Sequence, residues 1–226
     1  MRLFVQVALG LAVCLSTSFA AAQNKVVVIP MSSKPAVINT VTSAGQVWMD
    51  RNLGALRVAT KPADPDAYGT LYQWGRGGDG HEYRSSSTTP SQSNSDVPGH
   101  GSFIISSAHP YDWRSPQNNS LWQGESGINN PCPAGFRLPT AAEWETERGS
   151  WSSKNAAGAF ASPLKLVLAG YRSPYLSTLI DAGLYGSYWS STVDGSYGFS
   201  LDFTEAWATT YSSYRAYGNS VRCIKD

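Results

Sequence analysis

The chain has 226 residues, with 17 basic and 16 acidic side chains and 15% charged residues overall, well below the quarter that globular proteins usually carry. The basic residues are scattered rather than striped, which argues against a nucleic-acid partner. Ser, Thr, Asn, Gly and Tyr make the composition polar without charge, and after the N-terminal leader no segment is apolar enough to cross a bilayer, which takes about 20 residues.

The leader comes first in chain order. Arg2 supplies a positive start, Leu3 to Leu15 is mostly apolar, and Ala20-Ala21-Ala22 precede Gln23. Charge, apolar run and small-residue cleavage site in that order predict a secretory signal peptide over residues 1–22, and so a secreted, periplasmic or cell-surface protein. Residues 23–44 read as a strand or tether, with a β-type run from Lys25 to Ile29 stopped by Pro30. Residues 45–226 have the length of a single domain. Cys14 goes with the leader, leaving Cys132 and Cys223, and an even count in an exported chain predicts a disulfide.

Gln46 to Asp50 is the first strand of the domain. From Gly75 to Asn130 the chain is rich in Gly, Ser, Pro and Asn, a long irregular stretch that must be functional or pinned. Trp74, Trp113 and Trp122 are the pins expected, their large rings buried beneath it. A helix follows Thr140, because Thr140 and Glu143 have the spacing of a capping box; it should end near Gly149 with Trp144 facing the core. Leu164 to Gly170 reads as a buried strand. Phe199-Ser200-Leu201-Asp202-Phe203 alternates, with the three apolar residues on one face and Ser200 and Asp202 on the other. Turn signals stand at Gly186-Ser187 and Asp194-Gly195, and Ser220 to Ile224 closes the domain. The fold class expected is α+β, with few helices, a small antiparallel sheet and much ordered loop.

Five segments carry a resemblance. They are Val47-Trp48-Met49-Asp50-Arg51-Asn52-Leu53-Gly54-Ala55, Tyr68-Gly69-Thr70-Leu71-Tyr72-Gln73-Trp74-Gly75-Arg76, Asn130-Pro131-Cys132-Pro133-Ala134-Gly135-Phe136-Arg137-Leu138-Pro139-Thr140, Tyr188-Trp189-Ser190-Ser191 and Ser220-Val221-Arg222-Cys223-Ile224. Together, from about residue 46 to the end, they resemble the bacterial family called the Fibrobacter succinogenes major paralogous domain. The resemblance implies a variant of the C-type-lectin-like fold, shared with formylglycine-generating enzymes. A small twisted antiparallel sheet, one or two helices and long ordered loops would follow, with the cysteine pair joining the Cys132 segment to the last strand.

Catalytic constellations are not evident. His81, His100 and His109 are spaced as neither a helical metal pair nor a finger. Gly77 to His81 lacks the alternating acids of a calcium loop and reads as a Gly-rich turn. Formylglycine-generating enzymes hold copper with two cysteines near the C-terminus, where this chain has only Cys223. The calcium-binding triplets of lectins on the wider fold are missing as well. The expectation is therefore no enzyme, no metal and no cofactor.

Between Tyr185 and Ser220 lie six tyrosines, eight serines and two tryptophans, the mixture from which antibody paratopes are built. C-type-lectin-like domains of this branch include variable proteins of diversity-generating retroelements, whose C-terminal face draws on a similar palette. The bland alternative is that these are ordinary hairpin positions, where Tyr and Thr favour strands. The binding residues expected are Tyr188, Trp189, Asp194, Tyr197, Trp207, Tyr211, Tyr214, Tyr217 and Asn219, with a glycan or cell-surface protein as ligand. The alternatives are a structural envelope component that forms homo-oligomers and, further off, an oxidase on the formylglycine-enzyme scaffold.

Overall fold

A computed structural model of the chain describes residues 38–176 and 178–226; the leader and the Lys25 to Ile29 run lie outside them. In chain order the strands and helices are β1 (Thr40–Ser43), β2 (Gln46–Met49), β3 (Tyr72–Gln73), β4 (Thr88–Thr89), β5 (Phe103–Ile104), β6 (Phe136–Arg137), α1 (Ala141–Ser150), α2 (Ala156–Ala161), β7 (Tyr171–Arg172), β8 (Leu179–Ile180), β9 (Gly186–Asp194), β10 (Tyr197–Phe203), β11 (Ala208–Tyr214), β12 (Gly218–Asn219) and β13 (Ile224–Lys225). They form small sheets in the orders β1-β2-β13-β6, β11-β10-β9 and β3-β12-β7-β8, and a two-stranded pair, β4-β5. Every pairing is antiparallel except β4 with β5. Two helices beside several small, mainly antiparallel sheets make an α+β architecture.

The hairpin β1–β2 shifts one sequence boundary. Thr40 to Ser43, read from sequence as the end of a tether, pairs with β2 in register from Thr40–Met49 to Ser43–Gln46. Ala44 and Gly45 make the two-residue turn with φ of 47° and 78°. Positive φ at both central residues is the geometry that suits the strand twist, and Gly45 adopts it without steric cost.

Helix α1 begins as its capping box predicts. Thr140 Oγ1 accepts from the Glu143 backbone N–H, and the Glu143 carboxylate accepts from the Thr140 backbone N–H. Trp144 enters the core, its indole donating to the Trp189 carbonyl. The buried stretch from Leu164 to Gly170 is no strand. Lys165 has a φ of 51°, which breaks the extended run, and the backbone bonds of this stretch scatter. Leu166 donates to Ala159 O, Leu168 to Pro62 O and Gly170 to Tyr185 O. The closing segment Ser220 to Ile224 is likewise no continuous strand: Ser220 makes an isolated bridge to Tyr188, and only Ile224 enters β13.

The long central loop is pinned by indoles. Trp74, Trp113 and Trp122 are buried, and each N–H finds a carbonyl: Trp74 to Ser190, Trp113 to Trp74, and Trp122 to Asn129. A buried indole donor needs such a partner. Cys132 and Cys223 are bonded, with Cα atoms 5.9 Å apart, tying the segment before α1 to the C-terminal one. Among the described residues no helix is long and apolar enough to cross a membrane.

Strand β9 separates two hydrophobic clusters. Tyr188 packs with Trp48, Trp144, Leu201 and Phe203, while Trp189 packs with Tyr72, Trp74, Leu138 and Val221. Successive residues of a strand face opposite ways, so β9 is covered on both sides at this point.

Candidate functional site

The β9–β10–β11 sheet positions the site. Its registers place Trp189 opposite Ser200 and Ser187 opposite Asp202, so these four share one face. The Trp189 end of that face is covered by the second cluster. The Ser187–Asp202 end opens into a cleft of about 670 Å³, a size typical of small-ligand sites. It is lined by Tyr171, Tyr185, Ser187, Tyr197, Phe199, Asp202, Thr210, Tyr211, Ser212, Ser213, Tyr214, Tyr217 and Asn219.

The aromatic wall is continuous. Trp207 meets Tyr185 at 5.9 Å between ring centroids, Tyr185 meets Tyr171 at 5.6 Å, and Tyr171 meets Tyr217 at 5.6 Å. Tyr217 then lies parallel to Tyr214 at 6.3 Å, and Tyr214 contacts Tyr197 at 5.3 Å. Tyr175 and Tyr111 extend the row through edge-to-face contacts with Tyr217 and Tyr214. Most of these contacts are edge-to-face, the arrangement ring quadrupoles favour.

Asp202 is the one carboxyl among the described lining residues. It is 4% exposed, with Oδ1 accepting from the Ser187 hydroxyl at 2.7 Å and Oδ2 from the Tyr185 hydroxyl at 3.0 Å. Burial pushes its carboxyl up to about 6, against the hydrogen bonds from Ser187 and Tyr185 that favour the charged form. Burial, and then the nearness of Asp202, also raises the Tyr185 phenol.

Of the nine binding residues read from sequence, the structure brings Tyr197, Tyr211, Tyr214, Tyr217 and Asn219 together in the cleft. Trp207 stands at its edge against Tyr185 and is 42% exposed. Asp194 is exposed near the β9–β10 turn, outside the lining, and accepts from the Ser212 hydroxyl. Tyr188 and Trp189 need correction, because both are completely buried. The Tyr188 hydroxyl accepts from the Val167 N–H and donates to the Val167 carbonyl, and the Trp189 indole donates to Tyr72 O. These side chains support the sheet from within and present no surface to a ligand.

Sequence reasoning missed Tyr171, Tyr185, Ser187, Phe199 and Asp202. The alternation from Phe199 to Phe203 puts Ser200 and Asp202 on one shared face, and the cleft lies at the Asp202 end of it. The same alternation puts Phe199 on the face of Leu201 and Phe203. The β9–β10 register shifts between Gly198 and Ser200, and Phe199, at this irregularity, lines the cleft instead. Tyr171 carried no sequence signal, since it arrives from β7.

A second cluster lies in the pinned loop. Asp79, His81 and Glu82 bring one potential ligand atom each within 4.8 Å of one another. Their polar atoms are already engaged. His81 Nε2 accepts from the Gln73 N–H and Nδ1 is 2.7 Å from Asp79 Oδ1, so the neutral ring carries its proton on Nδ1. Arg76 donates to Asp79 Oδ2, and the Gly80 N–H donates to Glu82. Burial opposes ionisation of Asp79, but the bonds from His81 and Arg76 outweigh it and hold its carboxyl at about 2. This arrangement suits an internal brace for the Gly-rich turn.

Comparison with models of known protein families, with curated proteins and with solved structures returns no match.

Proposed function

We propose that this chain is a secreted or surface-displayed ligand-binding domain that recognises a glycan or a cell-surface protein through the tyrosine-lined cleft. The observation that carries the reading is the convergence of six tyrosines on one concave site. Tyr171, Tyr185, Tyr197, Tyr211, Tyr214 and Tyr217 come from separated segments and line one cleft with Asp202. Tyrosine supplies broad contact area at low entropic cost, and the flanking serines supply adaptable hydrogen bonds. The α+β architecture with long ordered loops and the Cys132–Cys223 bond accord with the suggested kinship to C-type-lectin-like domains. A bonded Cys223 also disfavours the oxidase alternative, which requires a free thiol there.

The test is binding of the purified protein to a mixed array of glycans and surface proteins, beside Tyr211→Ala and Tyr197→Ala. Selective binding that both variants lose by at least roughly tenfold, as expected for aromatic anchors, supports the reading. Binding that neither variant changes places the ligand elsewhere and overturns it. A second reading, a structural component that packs through this region against a further copy, draws on the exposure of Leu179, Leu184 and Trp207. Sedimentation showing a stable oligomer that Trp207→Ser dissociates would favour it.

A further inference from the structure

The chemistry of the cleft narrows the ligand. No lysine, arginine or histidine is among the lining residues, whose ionisable groups are one carboxyl and six phenols. The two arginines of the flanking segments do not reach in. Arg172 lies over the Phe103 ring and donates to Ser86, and Arg215 lies over Trp74 and donates to Asn119 and Gly195. The quadrupole of an aromatic ring gives its face a negative potential that attracts cations, most strongly where water is excluded. An ionised carboxylate offers about four acceptor sites, and Ser187 and Tyr185 fill one on each oxygen of Asp202.

An anionic group entering here would meet like charge and no donor strong enough to offset its lost hydration. A neutral hydroxyl could hydrogen-bond Asp202 but would leave its buried charge uncompensated, which is costly. A cation satisfies both features of the site. We propose that the ligand presents an organic ammonium group, which the cleft holds against its tyrosine rings with Asp202 as counter-charge. This rests on the reading of the cleft as a recognition site and names the chemistry it selects.

Ammonium binding would also carry a pH signature. The titratable groups facing Asp202 are the phenols of Tyr185 and Tyr171, which ionise above about pH 10, while Ser187 and Ser200 do not titrate. A cation requires the ionised carboxylate, so binding should strengthen as pH rises through about 6.

The test is calorimetric or NMR titration of the whole protein with n-butylammonium and tetramethylammonium chloride, against 1-butanol as the neutral control. Both cations should bind more tightly than the alcohol by at least roughly tenfold, compete with any ligand found on the array, and weaken below the acid transition. Asp202→Asn should lose this preference. Should that variant fail to fold, the pH titration of the unaltered protein carries the same question. Chitosan oligomers and lysine peptides, each beside its N-acetylated form, tell an amino sugar from a lysine side chain as the source. Equal binding of cations and alcohol, or no change with pH, overturns the ammonium inference. An array ligand that depends on Tyr211 but ignores both cations also overturns it, while leaving the recognition cleft standing. Failure of every probe and every array member counts against both.

Discussion

The Tyr185 hydroxyl donates to Asp202 Oδ2 at 3.0 Å, so a residue just ahead of β9 and one near the end of β10 share a nearly buried carboxyl. Ser187 completes the arrangement on the other oxygen at 2.7 Å. Two hydroxyl donors soften the burial of that charge without neutralising it, and the carboxyl rises to about 6 from an ordinary 3.8.

A raised acid makes stability depend on pH in a definite direction. The folded protein binds the Asp202 proton more tightly than the unfolded chain does, so this contribution is complete below about pH 4 and is lost as pH rises through about 6. The rise from 3.8 to about 6 corresponds to roughly 3 kcal/mol. Asp202→Asn keeps the shape and removes the ionisation. Its stability relative to the unaltered protein, measured by urea denaturation, should therefore be greater at pH 7 than at pH 4 by about this amount. An equal difference at both values would show that Asp202 ionises normally.

The tyrosines of the cleft should separate into anchors and supports. Tyr211 is 63% exposed, so Tyr211→Ala should change stability by no more than about 0.5 kcal/mol. Tyr217 contacts Tyr171, Tyr175 and Tyr214 and packs on the Trp189 cluster; Tyr217→Ala should cost about 1–3 kcal/mol. Denaturation curves of the two variants, run beside ligand binding, tell loss of a contact from loss of the fold.

The disulfide spans 91 residues of sequence. Loop-closure entropy assigns such a crosslink roughly 4–5 kcal/mol. The double variant Cys132→Ala/Cys223→Ala should therefore unfold at markedly lower temperature, as differential scanning calorimetry would show. Reduction of the unaltered protein should have the same effect.

Gly198 gives a sharper packing test. A Cβ placed there would lie 2.5 Å from the Trp74 ring, which is buried and bonded through its indole to Ser190 O. Gly198→Ala must displace that ring and should cost about 1–3 kcal/mol by overpacking. Indole fluorescence and thermal stability would both report the change. A neutral outcome would mean that Trp74 can shift freely.

The sequence carried the elements that are local in origin. The capping box of Thr140 and Glu143 acts within one helical turn, and it placed α1 correctly. The tryptophans of the central loop could be read as pins because rings of that size have few alternatives to burial, and two cysteines implied one bond. What depends on one neighbour more was harder to read. Thr40 to Ser43 became a strand because β2 lies beside it. Leu164 to Gly170 has the composition of a strand but meets a neighbouring strand only through the single Gly170–Gly186 bridge.

The cleft divides along the same line. The palette of Tyr, Ser and Trp in the C-terminal third and the shared face of Ser200 and Asp202 are legible along the chain, because composition and alternation are local properties. Packing placed Tyr188 and Trp189 in the core, since burial on both faces of β9 depends on what other segments pack against it. It also decided that Tyr171, Tyr185 and Asp202 meet at one place. Side chains from β7, from the turn ahead of β9 and from β10 converge only once the sheets have packed, and no spacing along the chain records that distance.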